Sequence, residues 1–281
     1  MERATDFFLD IAAEPEQSKS NASGNTGGLI ALPVLWHFTV SHFNEKIRWA
    51  LDWKGIAHTR RTLLPGWHIP RVLLMTGQKS VPVLVIDGKA VADSTRIIEK
   101  LETLRPDPPL YPADPAERRR ALELEELCDE HLGPHVRRAF FFEVLDQADF
   151  LVEIFGADEG AVTRGLYRAL FPMTRMAMRL DMGINPGSAA RSRDKVEKAL
   201  DQLDAELGSS GYLVGDRFSV ADLTLAALLS PLVWPAEYSY PMPAFPAAVA
   251  GWRATLAGRP SFRWATEMYR RHRGPSAALA A

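Results

Sequence analysis

At 281 residues, with 47% apolar and 24% charged side chains, the chain has room for one large domain or two ordinary ones, each with a proper core. A formal net charge of -2 advertises no basic face, which speaks against a nucleic-acid partner. The single cysteine, Cys128, excludes an intrachain disulfide, a paired-cysteine redox motif and a cysteine-rich zinc site, and it fits a reducing compartment.

The chain opens on MERATDFFLDIAAEPEQ, acidic where a signal or transit peptide is basic. No uninterrupted apolar run approaches the roughly 18 residues of a membrane span. A cytoplasmic location and no membrane partner are therefore expected. Residues 18–28, SKSNASGNTGG, are too small and polar to bury apolar surface, so residues 1–28 are expected to form a flexible leader. A start codon placed too early is the alternative.

From Leu29 onward strand-like and helix-like pieces alternate. LPVLWHF, from Leu32 to Phe38, reads as a buried strand. Phe43, Ile47, Ala50 and Leu51 follow at i, i+4, i+7 and i+8, one face of a helix stopped by Gly55. HTRRTLL reads as a second strand, and an irregular piece comes after it. VPVLVI and KAVA then flank Asp87-Gly88, a strong hairpin signal. Ile97, Ile98, Leu101 and Leu104 mark a helix that ends before Pro106. This order predicts a small mixed sheet with helices on its faces, over residues 29–106.

Five prolines in the eleven residues Arg105 to Pro115 make a stiff linker, whose core is 107–114. Beyond it only helical spacing recurs, in Ala121, Leu124, Leu127 and Cys128 and again in Val196, Leu200, Leu203 and Leu207. Asn185-Pro186-Gly187 and Gly208 to Gly211 punctuate the segments. An all-helical domain is expected over 115–273, and residues 274–281 are expected to be a flexible tail. The basic end, Tyr269-Arg270-Arg271-His272-Arg273, reads as cations at a helix C-terminus.

Four local motifs stand out, and each has a plain structural explanation. Ser41, directly after the first strand, suits a helix N-cap. Val81-Pro82 suits a strand start or edge. Asp93-Ser94-Thr95 suits another cap. Ser219 to Asp222 forms a capping-box pattern, with Phe218 and Leu223 as the hydrophobic staple. His42, a lone histidine at a helix start, reads as a solvated surface residue rather than a base.

Taken in this order and at these spacings, SHFNEKIRWALDWKGI, SVPV, DST and FSVADL resemble the glutathione transferase superfamily, across residues 32–272. That resemblance implies an α/β plus all-α protein: a thioredoxin-like N-terminal domain followed by a helical-bundle C-terminal domain. It implies glutathione as co-substrate, an apolar small-molecule electrophile as second substrate, no metal, and a homodimer packed through the helix after Asp93 and the early helices of the second domain. Ser41 would hold the glutathione thiolate. Val81, before a cis Pro82, would pair its backbone with the cysteinyl part. Gln78 and Lys79 would meet the glycyl carboxylate, although a solvated loop explains those two as well. Ser94 would take the γ-glutamyl carboxylate, and Asp93 the ammonium. The capping-box motif identifies the fold and not the chemistry.

The energetics favour a role for the Ser41 hydroxyl. Lowering a thiol pKa from about 8.5 by two units needs roughly 2.7 kcal/mol. A helix N-terminus supplies only about 0.3 to 1 kcal/mol at an exposed site, whereas a hydrogen bond to a charged acceptor adds roughly 1.5 to 3. His42 stands where the family usually has proline, and Asn44 where some relatives carry a second serine or cysteine. With no cysteine in the turn, thiol exchange is not available. His37 and Phe38 occupy the place of the tyrosine in tyrosine-type relatives, which argues against that mechanism. The aromatic and methionine residues Phe140, Phe141, Phe142, Tyr167, Phe171, Met173, Met176, Trp234, Tyr238 and Tyr240 are an inventory from which an acceptor pocket above Ser41 would draw. Two other readings are a glutathione-dependent isomerase or dehalogenase on the same fold, and a noncatalytic binding or assembly module. Glutathione affinity separates that module from both enzymes.

Overall fold

A computed structural model describes residues 31–280; the expected leader, 1–28, lies outside them. The described part starts with β1 (Val34–His37), α1 (His42–Trp53) and β2 (Thr59–Thr62), a crossover unit in which β1 and β2 are parallel. Next come α2 (Ile69–Thr76), β3 (Val83–Ile86), β4 (Lys89–Ala92) and α3 (Ser94–Leu104). The sheet order is β2-β1-β3-β4, with β3 antiparallel to both β1 and β4. Asp87 and Gly88 both take positive φ, 50° and 74°, as the two-residue hairpin requires. The irregular piece expected before the hairpin is corrected to α2. Its brackets are Pro70 in the first turn and left-handed Gly77 at the end. Its apolar residues do not keep to one face, since Val72 is buried while Leu73 and Leu74 are exposed.

The second half contains α4 (Pro115–Leu127), a π turn (Cys128–Leu132), α5 (Gly133–Val144), α6 (Ala148–Phe155), α7 (Ala161–Asp181), α8 (Pro186–Glu206), α9 (Val220–Val233), α10 (Ala247–Leu256) and α11 (Pro260–His272). Pro134 has no N–H to give an interior helical bond, and the π turn just before it absorbs the break between α4 and α5. Helix α9 is apolar on every side and packs against α1, α4, α5 and α11, so it forms the centre of the molecule. The Asp222 carboxylate accepts from the Ser219 N–H, the Ser219 hydroxyl and the Leu213 N–H, each at 2.8 Å. That is the capping role read from the sequence.

Helix α1 joins the two halves through buried ion pairs. Lys46 Nζ reaches Glu125 at 2.8 Å and Asp129 at 2.7 Å, in α4 and the π turn. Glu45 receives Arg48 and Arg273, and Arg273 also reaches Asp52. Arg273, just past α11, is thus a buried internal partner and not a solvated helix-end cation. The flexible tail expected over 274–281 is likewise corrected for 274–280. The Ala277 N–H donates to Asp52 Oδ1 and the Leu279 N–H to the His58 carbonyl, both at 2.8 Å.

Candidate active site

Strand register explains why the separate motifs meet. Trp36 near the end of β1 pairs with Val83 at the start of β3, and Val83 pairs with Ala92 at the end of β4. The turn after β1, the segment before β3 and the start of α3 therefore share one end of the sheet. These segments carry Ser41, Val81-Pro82 and Asp93-Ser94.

Ser41 is the N-cap of α1, with extended backbone and an Oγ that accepts from the Asn44 N–H at 3.5 Å. A hydroxyl has one donor and two acceptor positions, so capping leaves its proton free for a second partner. The surrounding turn is tightly held. Tyr238 Oη accepts from the Ser41 N–H at 3.3 Å and from Arg48 at 2.8 Å, and it donates to the Ser41 carbonyl at 3.4 Å. Burial pushes the Tyr238 pKa up to about 12, so it stays a neutral phenol. In the sequence Tyr238 was one aromatic among many; here it anchors the Ser41 turn from the helical half. His37 is buried between Arg48 and Tyr240. Burial, helped by the Arg48 charge, keeps it well below the usual histidine range.

Ser41 and Val81 line one cavity of about 360 Å³ between the sheet end and α5, α6 and α7. Its walls include Phe38, Val40, Phe43, Phe141, Phe155 and Met178. The Val81-Pro82 bond is cis, as expected. Lys79 also borders the cavity, but its ammonium pairs with Asp181 at the end of α7. Gln78 is exposed and does not line it; its N–H donates to Thr76 Oγ1 at 3.3 Å. His68, unnoticed in the sequence, does line it. Its Nδ1 accepts from the Gly66 N–H at 3.1 Å while Nε2 donates to the Lys79 carbonyl at 3.0 Å, which fastens the loop before α2 to the segment before β3.

Asp93 and Ser94 sit at the same sheet end, outside the lining of that cavity. Asp93 Oδ1 accepts from the Thr95 and Arg96 N–H groups at 3.0 and 3.2 Å, so much of the α3 terminus is already satisfied. Asp93 does this at φ 80°, a backbone region that costs on the order of 1–3 kcal/mol and persists only where its surroundings fix it. Ser94 is buried behind it, with its hydroxyl making no hydrogen bond among the described residues.

His42 departs from expectation. It is buried, not solvated, and its Nε2 has no hydrogen-bond partner among the described residues. Desolvation, with the nearby Arg137 charge, lowers its pKa to about 3, so at neutral pH it is an uncharged and very weak base. Of the aromatic inventory, Phe141 lines the large cavity, while Phe140, Trp234 and Tyr238 line a small adjoining cleft beside Ser41. Tyr167 and Phe171 are core, and Met173 and Met176 face outward. Among the described residues, no cluster of His, Cys, Asp or Glu is placed to hold a metal, and no helix is long and apolar enough to cross a membrane.

Comparison with known proteins gives the same frame. Residues 35–109 match the family described as glutathione S-transferase, N-terminal domain, and residues 186–262 match glutathione S-transferase, C-terminal domain. Residues 110–185 fall between the two matches. The chain is 25% identical over 219 residues to a tetrachloro-p-hydroquinone reductive dehalogenase of Sphingobium chlorophenolicum, covering 70% of this chain and 81% of that protein. It is 25% identical over 235 residues to FtsZ-localized protein A of Caulobacter vibrioides, covering 82% and 89%. A theta class glutathione S-transferase of Xanthomonas axonopodis pv. citri, solved with glutathione bound, superposes with a TM-score of 0.52 at 19% identity, covering 83% and 96%. At that identity the likeness is one of fold.

Proposed function

The chain belongs to the glutathione S-transferase superfamily, and we propose that it binds glutathione at this sheet end and transfers the thiolate to an apolar electrophile. One observation carries the reading: Ser41, with its hydroxyl proton unspent, lines the same cavity as Val81, the residue just before Pro82. In this reading Ser94 and Asp93 hold the γ-glutamyl end, the Val81 backbone pairs with the cysteinyl part, and Lys79 and Gln78 are left for the glycyl carboxylate. The Ser41 hydroxyl and the α1 N-terminus stabilise the thiolate, whose proton goes to solvent. In a substitution, sulfur donates its pair to the electrophilic carbon as the C–S bond forms. The leaving group departs with the bonding pair. The fold family suggests a cytoplasmic homodimer packed through α3, α4 and α5, for which a dimeric mass by light scattering is the expected result.

A glutathione-dependent dehalogenase or isomerase would use the same Ser41, Pro82 and Ser94 and differ only in the acceptor compartment. A noncatalytic role has one observation in its favour, since Lys79 is held by Asp181 where a glycyl carboxylate would need it. Calorimetric titration with millimolar glutathione decides between the classes. Saturable binding, weakened by Ser94→Ala, is expected; an absence of heat at millimolar concentration overturns both enzyme readings.

A further inference from the structure

Most arginines of α5, α7 and α8 have a partner. Arg175 and Arg179 both pair with Asp146, Arg168 with Asp149, and Arg193 with Glu143. Arg138 donates to the Met182 carbonyl at 2.8 Å and to the Ser192 hydroxyl at 3.2 Å. Arg137 has no ion pair or hydrogen bond among the described residues, yet it lines both the 360 Å³ cavity and the small cleft beside Ser41. Its position follows from the packing of α5. Gly133, Arg137 and Phe141 fall at i, i+4 and i+8 on one helix face. At Gly133 that face lies so close to α1 that an added Cβ would sit 2.7 Å from Phe43 Cζ. Arg137 is exposed and so reachable from the cleft, and the protein packed around its base lowers the guanidinium pKa by desolvation.

The other charges nearby do not cancel it. Asp181 is spent on Lys79, Arg138 adds the same sign, and His42 is neutral. An arginine cannot shed its proton at any ordinary pH, so a guanidinium on the wall of an apolar cavity, with no counter-ion among the described residues, favours an anion brought by a ligand. The rest of the wall, Phe38, Val40, Phe141, Phe155 and Met178, suits an apolar body.

We propose that the acceptor compartment selects molecules with an apolar, ring-sized body and one anionic group, a carboxylate or sulfonate, which Arg137 grips with its planar fork while the body fills the cavity beside Ser41. Arg137 is a specificity-determining residue in this scheme, and the scheme rests on the reading of the cavity as the acceptor site. A carboxylate suits the guanidinium best because two parallel N–H donors match its two oxygens.

The test uses two fluorescent probes on the full chain: 8-anilinonaphthalene-1-sulfonate, and N-phenyl-1-naphthylamine, which has the same rings and no charge. Arg137→Gln is expected to weaken the sulfonate about tenfold or more and to leave the neutral amine within about twofold. Arg137→Lys, which keeps the charge and loses the fork, should recover part of the difference. Unchanged sulfonate affinity in Arg137→Gln, or an equal loss of both probes with no recovery in Arg137→Lys, overturns the proposal. Glutathione titration of the same variants identifies the other source of an anion. If Arg137→Gln weakens glutathione and spares the sulfonate, the charge serves the tripeptide and the proposal fails. The probes need no glutathione. A chain that passes the probe test but binds no glutathione loses the transferase reading and keeps the anion compartment.

Discussion

His42 and Arg137 lie side by side at the cavity, and their chemistry diverges. Burial keeps His42 neutral, with a pKa of about 3 against an unfolded value near 6.5. The unfolded chain therefore binds the extra proton first, so this residue's contribution is complete above pH 6.5 and is lost as pH falls toward 3. At pH 4.5 the loss is about 2.7 kcal/mol. His42→Leu should flatten the acid limb of stability measured by urea unfolding between pH 7 and 4.5. His37 and His58, also buried with lowered values, retain part of the slope. A limb as steep in the variant as in the parent would show that His42 is not the residue that titrates. Sequence could not supply this, because a histidine after a cap serine looks solvated until α5 covers it. Arg137 was equally illegible. Nothing in GPHVRRAFFF separates it from Arg138, but one step of about 100° turns the first toward the cleft and the second toward Met182 and Ser192. Ser41 and Asp93 were legible as caps because small polar residues stand directly before helical periodicity.

At the scale of elements, the sheet was read correctly where turn chemistry was explicit and missed where apolar residues kept to no single face. Asp87-Gly88 announced the β3–β4 hairpin, while α2 hid its helical character behind exposed Leu73 and Leu74. The docking of α5 against α1 was also invisible, since it depends on a missing side chain. Gly133→Ala would set a methyl 2.7 Å from Phe43 Cζ and 3.1 Å from Leu228 Cδ1. The variant should lose about 1 to 3 kcal/mol through overpacking. Combining it with Phe43→Leu should cost less than the sum of the two single changes, because the smaller side chain gives the methyl room. Strict additivity in that double-mutant cycle would mean that the contact does not position α5.

For the molecule as a whole, the halves are joined in two ways that differ in energetic weight. The buried pairs of Lys46, Glu45 and Arg273 are fixed parts of the interface, and losing one partner strands a charge at a cost of about 3 to 5 kcal/mol. Lys79 and Asp181 meet across the cavity mouth with both side chains more than half exposed, so their pairing is worth about 0 to 1 kcal/mol. Asp181→Asn should therefore leave thermal stability nearly unchanged. It should tighten glutathione severalfold if the freed Lys79 turns to the glycyl carboxylate, which calorimetry would read; no gain would leave Lys79 a surface lysine. The two-domain plan was legible because the proline-rich linker and the Ser219 to Asp222 cap mark it in plain residues. The ordered path of 274–280 was not, as it depends on Asp52 and His58, far away in sequence. In the proposed function, the sheet end holds glutathione as its thiolate through Ser41. The most direct measurement is ultraviolet titration of the bound thiol in the parent chain and in Ser41→Ala, with activity normalised to folded protein because loss of the cap costs about 1 kcal/mol. The expected bound pKa is about two units below that of a free thiol, rising by about one to two units in the variant, with turnover of an activated aryl halide near neutral pH falling about tenfold or more. An identical thiol titration and identical turnover in the two proteins would contradict it and leave Ser41 a helix cap.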